Sequence, residues 1–359
     1  MLVGLAVVFL LYKFHGSLVS GRFHWAAVIR SLHDVHLSLL LLSIVCIYVC
    51  YALRALRWMR FSRALGQMQF WNAYSATLMG FSCVFLLGRA GEPVRPVLLA
   101  KKDSLSIPGM FGVYVLERVF DIASTAVIAG IALLLFERAG FEGNRSAPVM
   151  SIVRSVGGTL LLGLVVVIGL LVYFRYHGAG WLARKLQKST WRMGWREKIV
   201  LLLEGFIEGL QGIRTWGDLG VLVGYTAAHW FLVTLVYLWV AQAFGGRLAA
   251  FDFAQATLLL AVTMVGSTAQ FPGVGGGAQA ASFLAFTLIF GVENELAATV
   301  SIVLWLITFA ACLLVGLPLL FREGWSMGEL RRMARAEQEA GKAAPLEDAH
   351  HAADSERRP

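Results

Sequence analysis

Residues 87–96 of the chain read Leu87-Gly88-Arg89-Ala90-Gly91-Glu92-Pro93-Val94-Arg95-Pro96, and they interrupt a region that is otherwise apolar. Glycine and proline end helices, so the glycines and prolines of this stretch predict a bend between two helical segments. The arginines and the glutamate make the bend polar. Because hydrophobic segments flank it on both sides, we expect the bend at or inside a membrane, as one half of a buried polar site.

The composition of the whole chain is that of a polytopic membrane protein. Of its 359 residues 58% are hydrophobic and 15% are charged, and the mean hydropathy is +0.69. Soluble domains carry about 25% charged residues. Since long apolar stretches recur along the entire length, the sequence predicts an all-α bundle of membrane helices.

Charge and cysteine content exclude several other classes of protein. The net charge is +9, which in a soluble protein would indicate nucleic-acid binding. Here the basic residues lie at the ends of apolar segments, as the positive-inside rule predicts, so no nucleic-acid partner is expected. The cysteines have neither zinc nor secreted-disulfide spacing, and no metal or other cofactor is predicted. They are Cys46, Cys50, Cys83 and Cys312.

Apolar segments bounded by charges predict the individual membrane helices. The clearest spans are Leu37–Leu53, Ile107–Phe136, Ile152–Phe174, Gly217–Ala243 and Leu296–Phe321. The weaker segments are Trp71–Gly88, Phe253–Phe271 and Ala278–Phe290, of which the last is too short to span alone. Three further pieces are predicted: a short apolar start at Met1–Tyr12, an interfacial helix at Phe23–Asp34, and an amphipathic helix at Ile199–Leu210 on the inner leaflet.

These segments form one membrane domain followed by a tail. The domain is predicted to cover residues 1–321 and to contain two pseudo-repeats, about 37–136 and 217–321, linked by residues 137–216. Residues 322–359 are charged and rich in alanine, so they predict a disordered cytoplasmic C-terminus.

The basic residues also predict how the two pseudo-repeats cross the membrane. Arg54–Arg63 and Arg89–Lys102 both belong on the cytoplasmic side, so the segment between them must enter the membrane and return. By the same argument the Phe253–Phe290 region must enter and return from outside. The sequence therefore predicts two oppositely oriented re-entrant hairpins, which is the layout of an inverted repeat.

A short internal echo agrees with this repeat. Ala76-Thr77-Leu78 precedes the first break, and Ala256-Thr257-Leu258 lies 180 residues later, before a second break at residues 271–277. That second break contains Pro272, Gly273 and Gly275. Irregular backbone cannot face lipid, because each unsatisfied amide costs several kcal/mol. Both breaks are therefore expected to be buried in protein or to line a wet cavity.

A charged group lies inside one predicted span. Glu117, Arg118 and Asp121 fall within Ile107–Phe136, and each charge at the centre of a span costs about 2.5–3.5 kcal/mol on insertion scales. They need partners, and the nearest in sequence are Arg89, Glu92 and Arg95. Two interpretations stay open: a closed salt-bridge lock between helices, or a site in which an arginine stays free to hold a lipid phosphate.

Three motifs of this chain resemble those of the flippase-like membrane family, whose type member is the transmembrane half of lysylphosphatidylglycerol synthase. They are Gly88-Arg89-x-Gly91-Glu92-x-x-Arg95-Pro96, Leu116-Glu117-Arg118-x-x-Asp121 and Pro272-Gly273-x-Gly275. The resemblance covers about residues 1–321. It implies a multi-pass protein of the bacterial inner membrane that moves lipids between leaflets, and several members lie near isoprenoid, hopanoid or glycolipid genes.

Two positions depart from the family pattern. The family often has a glutamate where this chain has Gln279, and a Tyr-Arg pair where it has Leu304-Trp305. Loss of an acid and a base together leaves the first half as the charged site. The aminoacyl-transferase domain of the bifunctional synthases is also not expected, since only 38 residues follow Phe321.

The predicted function is therefore a lipid translocase and not an enzyme. Arg89, Arg95 and Arg118 would attract an anionic or isoprenoid-phosphate-linked lipid, and Glu92, Glu117 and Asp121 would balance or gate it. The residues assigned to the hairpins and their gating are Gly91, Pro93, Pro272, Gly273, Gly275 and Gln279. Alternatives are an intramembrane lipid-modifying enzyme, although the chain has no HExxH or GxSxG motif, and a non-transporting scaffold of a lipid or cell-envelope biosynthesis complex. A homo-oligomer also stays open.

Overall fold

The computed structural model describes residues 35–138, 162, 169, 215–267, 270–271, 275–324 and 328. This part of the chain is helical apart from one pair of two-residue strands. The predictions for Met1–Tyr12, Phe23–Asp34, Ile199–Leu210, nearly all of Ile152–Phe174 and most of the tail 322–359 lie outside it. So do Pro272 and Gly273 of the second break.

Nine α-helices make up the described bundle. In chain order they are α1 Leu37–Phe61, α2 Phe70–Leu87, α3 Val94–Lys102, α4 Ile107–Arg138, α5 Trp216–Ala243, α6 Phe253–Gly266, α7 Gly277–Leu284, α8 Asn294–Trp305 and α9 Cys312–Arg322. The strands are β1 Gln270–Phe271 and β2 Gly275–Gly276. Short 3-10 turns cover Ser62–Ala64, Gly88–Gly91 and Gly246–Ala250, and π-helical turns cover Ala285–Ile289 and Leu306–Ala310.

Four stretches among the described residues are long and apolar enough to cross a membrane. They are Leu37–Ala64, Phe70–Leu87, Trp216–Ala243 and Asn294–Arg322. The apolar helices of the second break, Phe253–Gly266 and Gly277–Ile289, are shorter than a span requires. The prediction of a helical, multi-pass membrane protein is thus confirmed.

Side-chain caps define where two helices of the second half begin. The Thr215 hydroxyl accepts from the Asp218 backbone N–H at 3.1 Å, and the Asp218 carboxylate accepts in return from the Thr215 N–H, also at 3.1 Å. Asp252 and Gln255 form the same reciprocal pair at α6. Such capping boxes satisfy amide groups that have no partner within the helix, so they fix the first turn of α5 and of α6.

The chain reverses at the first break, as the glycines and prolines predict. Gly88 has a φ of 66°, a left-handed conformation that favours glycine. Gly91 lies directly on the backbone of Cys83 and Val84, where an added Cβ would overlap it. The turn therefore folds back onto α2, and the nine-residue helix α3 packs against that helix.

The second break forms a tighter hairpin. β1 and β2 pair antiparallel with Gln270 opposite Gly276, and α6 then packs against α7. The Gly276 backbone N–H donates to Oε1 of Gln279 at 2.9 Å. Gln279 thus caps the start of α7. Its uncharged amide oxygen accepts the hydrogen bond that a carboxylate could also accept at this position.

The open end of each hairpin is closed by a hydrogen bond between its two flanks. In the first half Nδ2 of Asn72 donates to Oδ1 of Asp103 at 2.6 Å. In the second half Nη1 of Arg247 donates to the Gly291 carbonyl at 3.0 Å. Asn72 lies in the first turn of α2 and Asp103 just after α3, while Arg247 and Gly291 flank the second hairpin. Each bond thus joins the start of one arm to the end of the other.

Helices α1 and α5 are the first described helices of the two halves, and they pack against each other in antiparallel orientation. At one end the His36 N–H donates to the Ala243 carbonyl at 2.8 Å. At the other end Arg60 forms an ion pair with Asp218, with Nη2 and Oδ1 2.8 Å apart. Other helices also pack across the two halves: α2 packs against α9, and α6 packs against α4. Buried apolar side chains fill the spaces between these helices.

Candidate functional site

Glu117 on α4 lies at the centre of a buried group of charges. Its side chain is 0% exposed, and arginines from two other helices converge on it. Arg95 on α3 places Nη1 3.0 Å from Oε2 of Glu117. Arg54 on α1 places Nη1 3.0 Å from Oε1. The carboxylate is therefore held on both oxygens by charge-assisted hydrogen bonds.

Arg57 joins the same group one helical turn after Arg54. Its Nη2 lies 2.9 Å from Oε1 of Glu117 and 2.7 Å from Oδ1 of Asp121. Its Nη1 donates to the hydroxyl of Thr226 on α5 at 3.4 Å. Arg54 also contacts Asp121, through Nη2 and Oδ2 at 3.2 Å. Because residues three apart share a helix face, α1 presents both guanidinium groups to α4.

Arg95 is positioned by packing as well as by charge. Its guanidinium lies over the Trp58 ring, 4.1 Å from the ring centroid, which is a cation–π contact. On the other side Gly80 of α2 leaves room for its stem, since a Cβ at Gly80 would lie 2.7 Å from the Arg95 Cβ. The sequence of α2 thus lets α3 bring a long charged side chain into the bundle.

Arg118 forms the outer edge of the group. Its Nη2 lies 3.2 Å from Oδ2 of Asp121, and its side chain remains 39% exposed. The guanidinium also lies 5.3 Å from the centroid of the Tyr114 ring. The Tyr114 hydroxyl in turn donates to the Glu92 carboxylate. Glu92 therefore contacts the group through Tyr114, and none of the four arginines described above forms an ion pair with it.

We call Arg54, Arg57, Arg95 and Arg118 with Glu117 and Asp121 the arginine–carboxylate cluster. Four guanidinium groups face two carboxylates, so the cluster carries an excess of two positive charges. Several of its buried donors have no hydrogen-bond partner within the part of the chain that is described. They are Nε of Arg57, Nε and Nη2 of Arg95, and Nε of Arg118. The cluster is thus suited to accept an anion.

The structure brings some of the sequence-predicted residues together and leaves others apart. Arg95, Glu117, Arg118 and Asp121 meet in the cluster. The side chain of Arg89 lies outside the described residues, as do Pro272 and Gly273. Gly91 and Pro93 form the first turn. Gly275 lies in β2 and Gln279 caps α7.

The two breaks lie next to each other. Strand β1 of the second half lies beside the 3-10 turn Gly88–Gly91 of the first. Trp305, at a position where the family often has an arginine, packs on Phe85 of α2 with ring centroids 5.4 Å apart. Among the described residues, the second half thus contributes an apolar contact near the first break.

Sequence reasoning missed Arg54 and Arg57 as members of the cluster. They stand in a row with Arg60 and Arg63, and the sequence predicts a cytoplasmic helix end for this row, with a contact to a lipid phosphate as the alternative. The available signal was helix length, since α1 continues without a break to Phe61 and places both residues inside a 25-residue helix. Arg60 and Arg63 do behave as end residues, because both contact Asp218.

His229 of α5 is buried, and its Nδ1 has no partner among the residues that the structure describes. Its ring meets Trp230 edge to face at 5.0 Å. The described residues hold no group of three or more His, Cys, Asp or Glu side chains that could bind a metal. The site is thus defined by its arginines and carboxylates.

The helices and this buried cluster define the class, a multi-pass helical membrane protein with charged side chains inside the bundle. The model of the family described as the lysylphosphatidylglycerol synthase TM region matches residues 1–316. The chain therefore belongs to this family, as its three motifs indicated. Searches of curated proteins and of solved structures gave no match.

Proposed function

We propose that this protein is a lipid translocase that moves an anionic or phosphate-bearing lipid between the leaflets of the bacterial inner membrane. The observation that carries the proposal is the positive excess of the arginine–carboxylate cluster beside two adjacent helix breaks. The family assignment and the membrane-spanning helices alone are compatible with other lipid-related roles. The cluster adds a chemical preference, because a guanidinium binds two oxygens of a phosphate at once.

The charge count favours a binding site over a closed lock. A lock of minimal cost would match each arginine with a carboxylate, since a buried unpaired charge is strongly unfavourable. Here two carboxylates serve four arginines, and donors of Arg57, Arg95 and Arg118 are left over. An anionic headgroup would supply the missing acceptors.

The arrangement of the halves supports two re-entrant hairpins related by inversion. Because α1 and α5 run antiparallel, equivalent elements of the two halves would face opposite sides. The Asn72–Asp103 and Arg247–Gly291 hydrogen bonds mark the end of each hairpin that lies opposite its turn. In the proposed arrangement these two ends would face opposite sides of the membrane. Half-helices that meet from opposite faces form the substrate sites of many transporters.

The proposed path begins at Arg118, whose partly exposed side chain would meet the headgroup first. Glu117 and Asp121 would hold the arginines while no lipid is bound and compete with the phosphate when it arrives. The two hairpins, with Gly91, Pro93, Gly275 and Gln279, would move to admit the headgroup. Residues 1–321 would form this translocation domain, with the C-terminus in the cytoplasm. No aminoacyl transfer is proposed.

Lipid exchange in proteoliposomes tests the proposal. The purified protein should accelerate exchange of a fluorescent anionic phospholipid between leaflets, and Arg118→Gln should slow it by about tenfold, the worth of one charge-assisted hydrogen bond. Arg63→Gln is the matched control, since Arg63 is an exposed arginine just after α1, 4.0 Å from Asp218, and belongs neither to the cluster nor to a hairpin. A native protein that exchanges neither phospholipids nor polyprenyl phosphates would refute the proposal.

Stability measurements separate a site from a lock. A site predicts that Arg118→Gln loses exchange while its thermal unfolding in detergent stays close to that of Arg63→Gln, because Arg118 is partly exposed. A lock predicts the reverse pattern for Arg118→Gln. Its unfolding temperature should fall, and its lipid exchange should decrease only in proportion to the amount of folded protein that is lost.

A further inference from the structure

We infer that the cluster selects a doubly charged phosphate monoester headgroup over a singly charged phosphodiester. The inference rests on the proposed function and narrows its substrate class. The six charged groups that contact one another leave an excess of two positive charges. A phosphate monoester carries about −1.5 to −2 at pH 7 and offers three acceptor oxygens. A diester carries one charge and two such oxygens.

The groups at the rim of the cluster do not change this balance. In the part of the chain that the structure describes, Glu92 accepts a hydrogen bond from the Tyr114 hydroxyl and forms no ion pair with the arginines of the cluster. Arg60 pairs with Asp218 at the end of α1 and, in the described part of the chain, contacts neither carboxylate of the cluster. The excess of two therefore belongs to the interior of the cluster.

The number of unsatisfied donors agrees with the charge. Nε of Arg57, Nε of Arg95 and Nε of Arg118 each carry one N–H, and Nη2 of Arg95 carries two. These buried groups have no acceptor in the described part of the chain. A headgroup with three terminal oxygens satisfies more of them than one with two, and burial makes each unsatisfied donor costly.

Arg95 also restricts which headgroups fit. Its guanidinium carbon lies 4.1 Å from the centroid of the Trp58 ring and 5.9 Å from that of the Phe81 ring. Because Trp58 is fully buried, a second alcohol on a phosphate bound at Arg95 would need additional room beside this ring. A monoester ends at the phosphate and needs no such room. Shape and charge thus favour the same class, exemplified by phosphatidic acid and by polyprenyl monophosphates.

Competition binding to the full-length protein in nanodiscs tests this selectivity. The probe is fluorescent phosphatidic acid, and the competitors are phosphatidic acid, phosphatidylglycerol and phosphatidylcholine with identical acyl chains. We expect phosphatidic acid to compete at least about tenfold better than phosphatidylglycerol, as one additional charge-assisted contact predicts. The advantage should shrink as the pH falls through about 6, where the monoester loses its second charge.

Two variants and a soluble competitor complete the experiment. Arg118→Gln should remove most of the preference, whereas the control Arg63→Gln should retain it. Equal competition by phosphatidic acid and phosphatidylglycerol would overturn the inference while leaving lipid binding, and so the proposed function, intact. Absence of binding by any lipid contradicts the proposed function itself. Inorganic phosphate that binds when no lipid does would assign the cluster to a soluble anion and overturn both.

Discussion

Gly80 shows how a residue without a side chain can determine the geometry of a charged site. It faces the stem of Arg95, and the space it leaves is what allows the guanidinium to reach both Trp58 and Glu117. A close approach of this kind cannot be recognised from the glycine alone. Gly220 on α5 is also a helical glycine, but no described atom lies within 4 Å of an added Cβ there.

This contrast gives the first prediction at the scale of a residue. Gly80→Ala should displace Arg95, because the new Cβ would lie 2.7 Å from the Arg95 Cβ. We expect a loss of about 1–3 kcal/mol in stability, as for overpacked cores, together with slower lipid exchange. Thermal unfolding in detergent and the proteoliposome assay measure the two effects.

The matched control is Gly220→Ala, which should be neutral or stabilise the protein by about 0.5–1 kcal/mol, since alanine favours a helix more than glycine does. If both alanine variants unfold at the same temperature and exchange lipid at the same rate, the close fit between Gly80 and Arg95 affects neither stability nor exchange.

Individual residues also show what the sequence could and could not predict of the site. The sequence alone predicts that the charges of α4 need partners, because charge inside an apolar span is costly. It offers Arg95 as one such partner, and Arg95 does bind Glu117. For Arg54 and Arg57 it predicts a helix end, since the positive-inside rule does not distinguish a helix that ends from one that continues. Trp58 and Thr226 could not be predicted because their contacts cross between helices.

At the scale of elements, an ion pair ties the first hairpin to the last helix. Nζ of Lys102, at the end of α3, lies 2.6 Å from Oε1 of Glu323, just after α9. Lys102 also donates to the Ser75 hydroxyl at 3.3 Å, so it holds both arms of the hairpin. If the hairpin moves during transport, this contact must break or shift.

Removal of this contact should therefore change movement more than stability. Both partners are partly exposed, and such pairs contribute about 0.2–1 kcal/mol. We expect Lys102→Gln and Glu323→Gln each to raise the exchange rate by up to about fivefold, the kinetic equivalent of that energy. Because the two changes remove the same contact, the double variant should resemble either single one.

The charge reversal Lys102→Glu with Glu323→Lys provides the control, since it restores an ion pair with the same partners. Its exchange rate should return towards the native value. Additive effects of the two glutamine substitutions would show that the pair does not act as one contact.

At the scale of the whole molecule, the helices were easier to predict than their relation to the membrane. Hydrophobic length identified α1, α5 and the α8–α9 region, because a span needs a fixed number of apolar residues. The 18-residue α2 is by itself long enough to cross, although it leads into a turn that folds back on it. The inverted topology therefore stays a prediction that labelling must test.

Cysteine labelling from each side of the membrane provides this test. Lys101 and Glu293 are exposed and lie next to the open ends of the first and second hairpins. We expect Lys101→Cys to react with a membrane-impermeant maleimide only after the cytoplasmic side is made accessible, and Glu293→Cys to react in intact spheroplasts. The native cysteines of the described chain are all buried, so their background reaction should be low.

Labelling of both positions from the same side would rule out oppositely facing hairpins. The buried cluster and the family assignment would not be affected, because neither depends on the direction in which the hairpins face.

The antiparallel pairing of α1 with α5 relates two halves of unequal chemistry. The six charges of the cluster come from α1, α3 and α4, whereas α5 adds the Thr226 hydroxyl. If the protein is a passive translocase, it holds its cargo with one half only, and the lipid concentration that half-saturates it then differs between the leaflets. At low lipid concentrations the initial rates in the two directions must still be equal, because transfer between equivalent leaflets has no net free-energy change. The asymmetry would therefore appear only near saturation, where the maximal rates in the two directions differ by the same factor as the half-saturating concentrations.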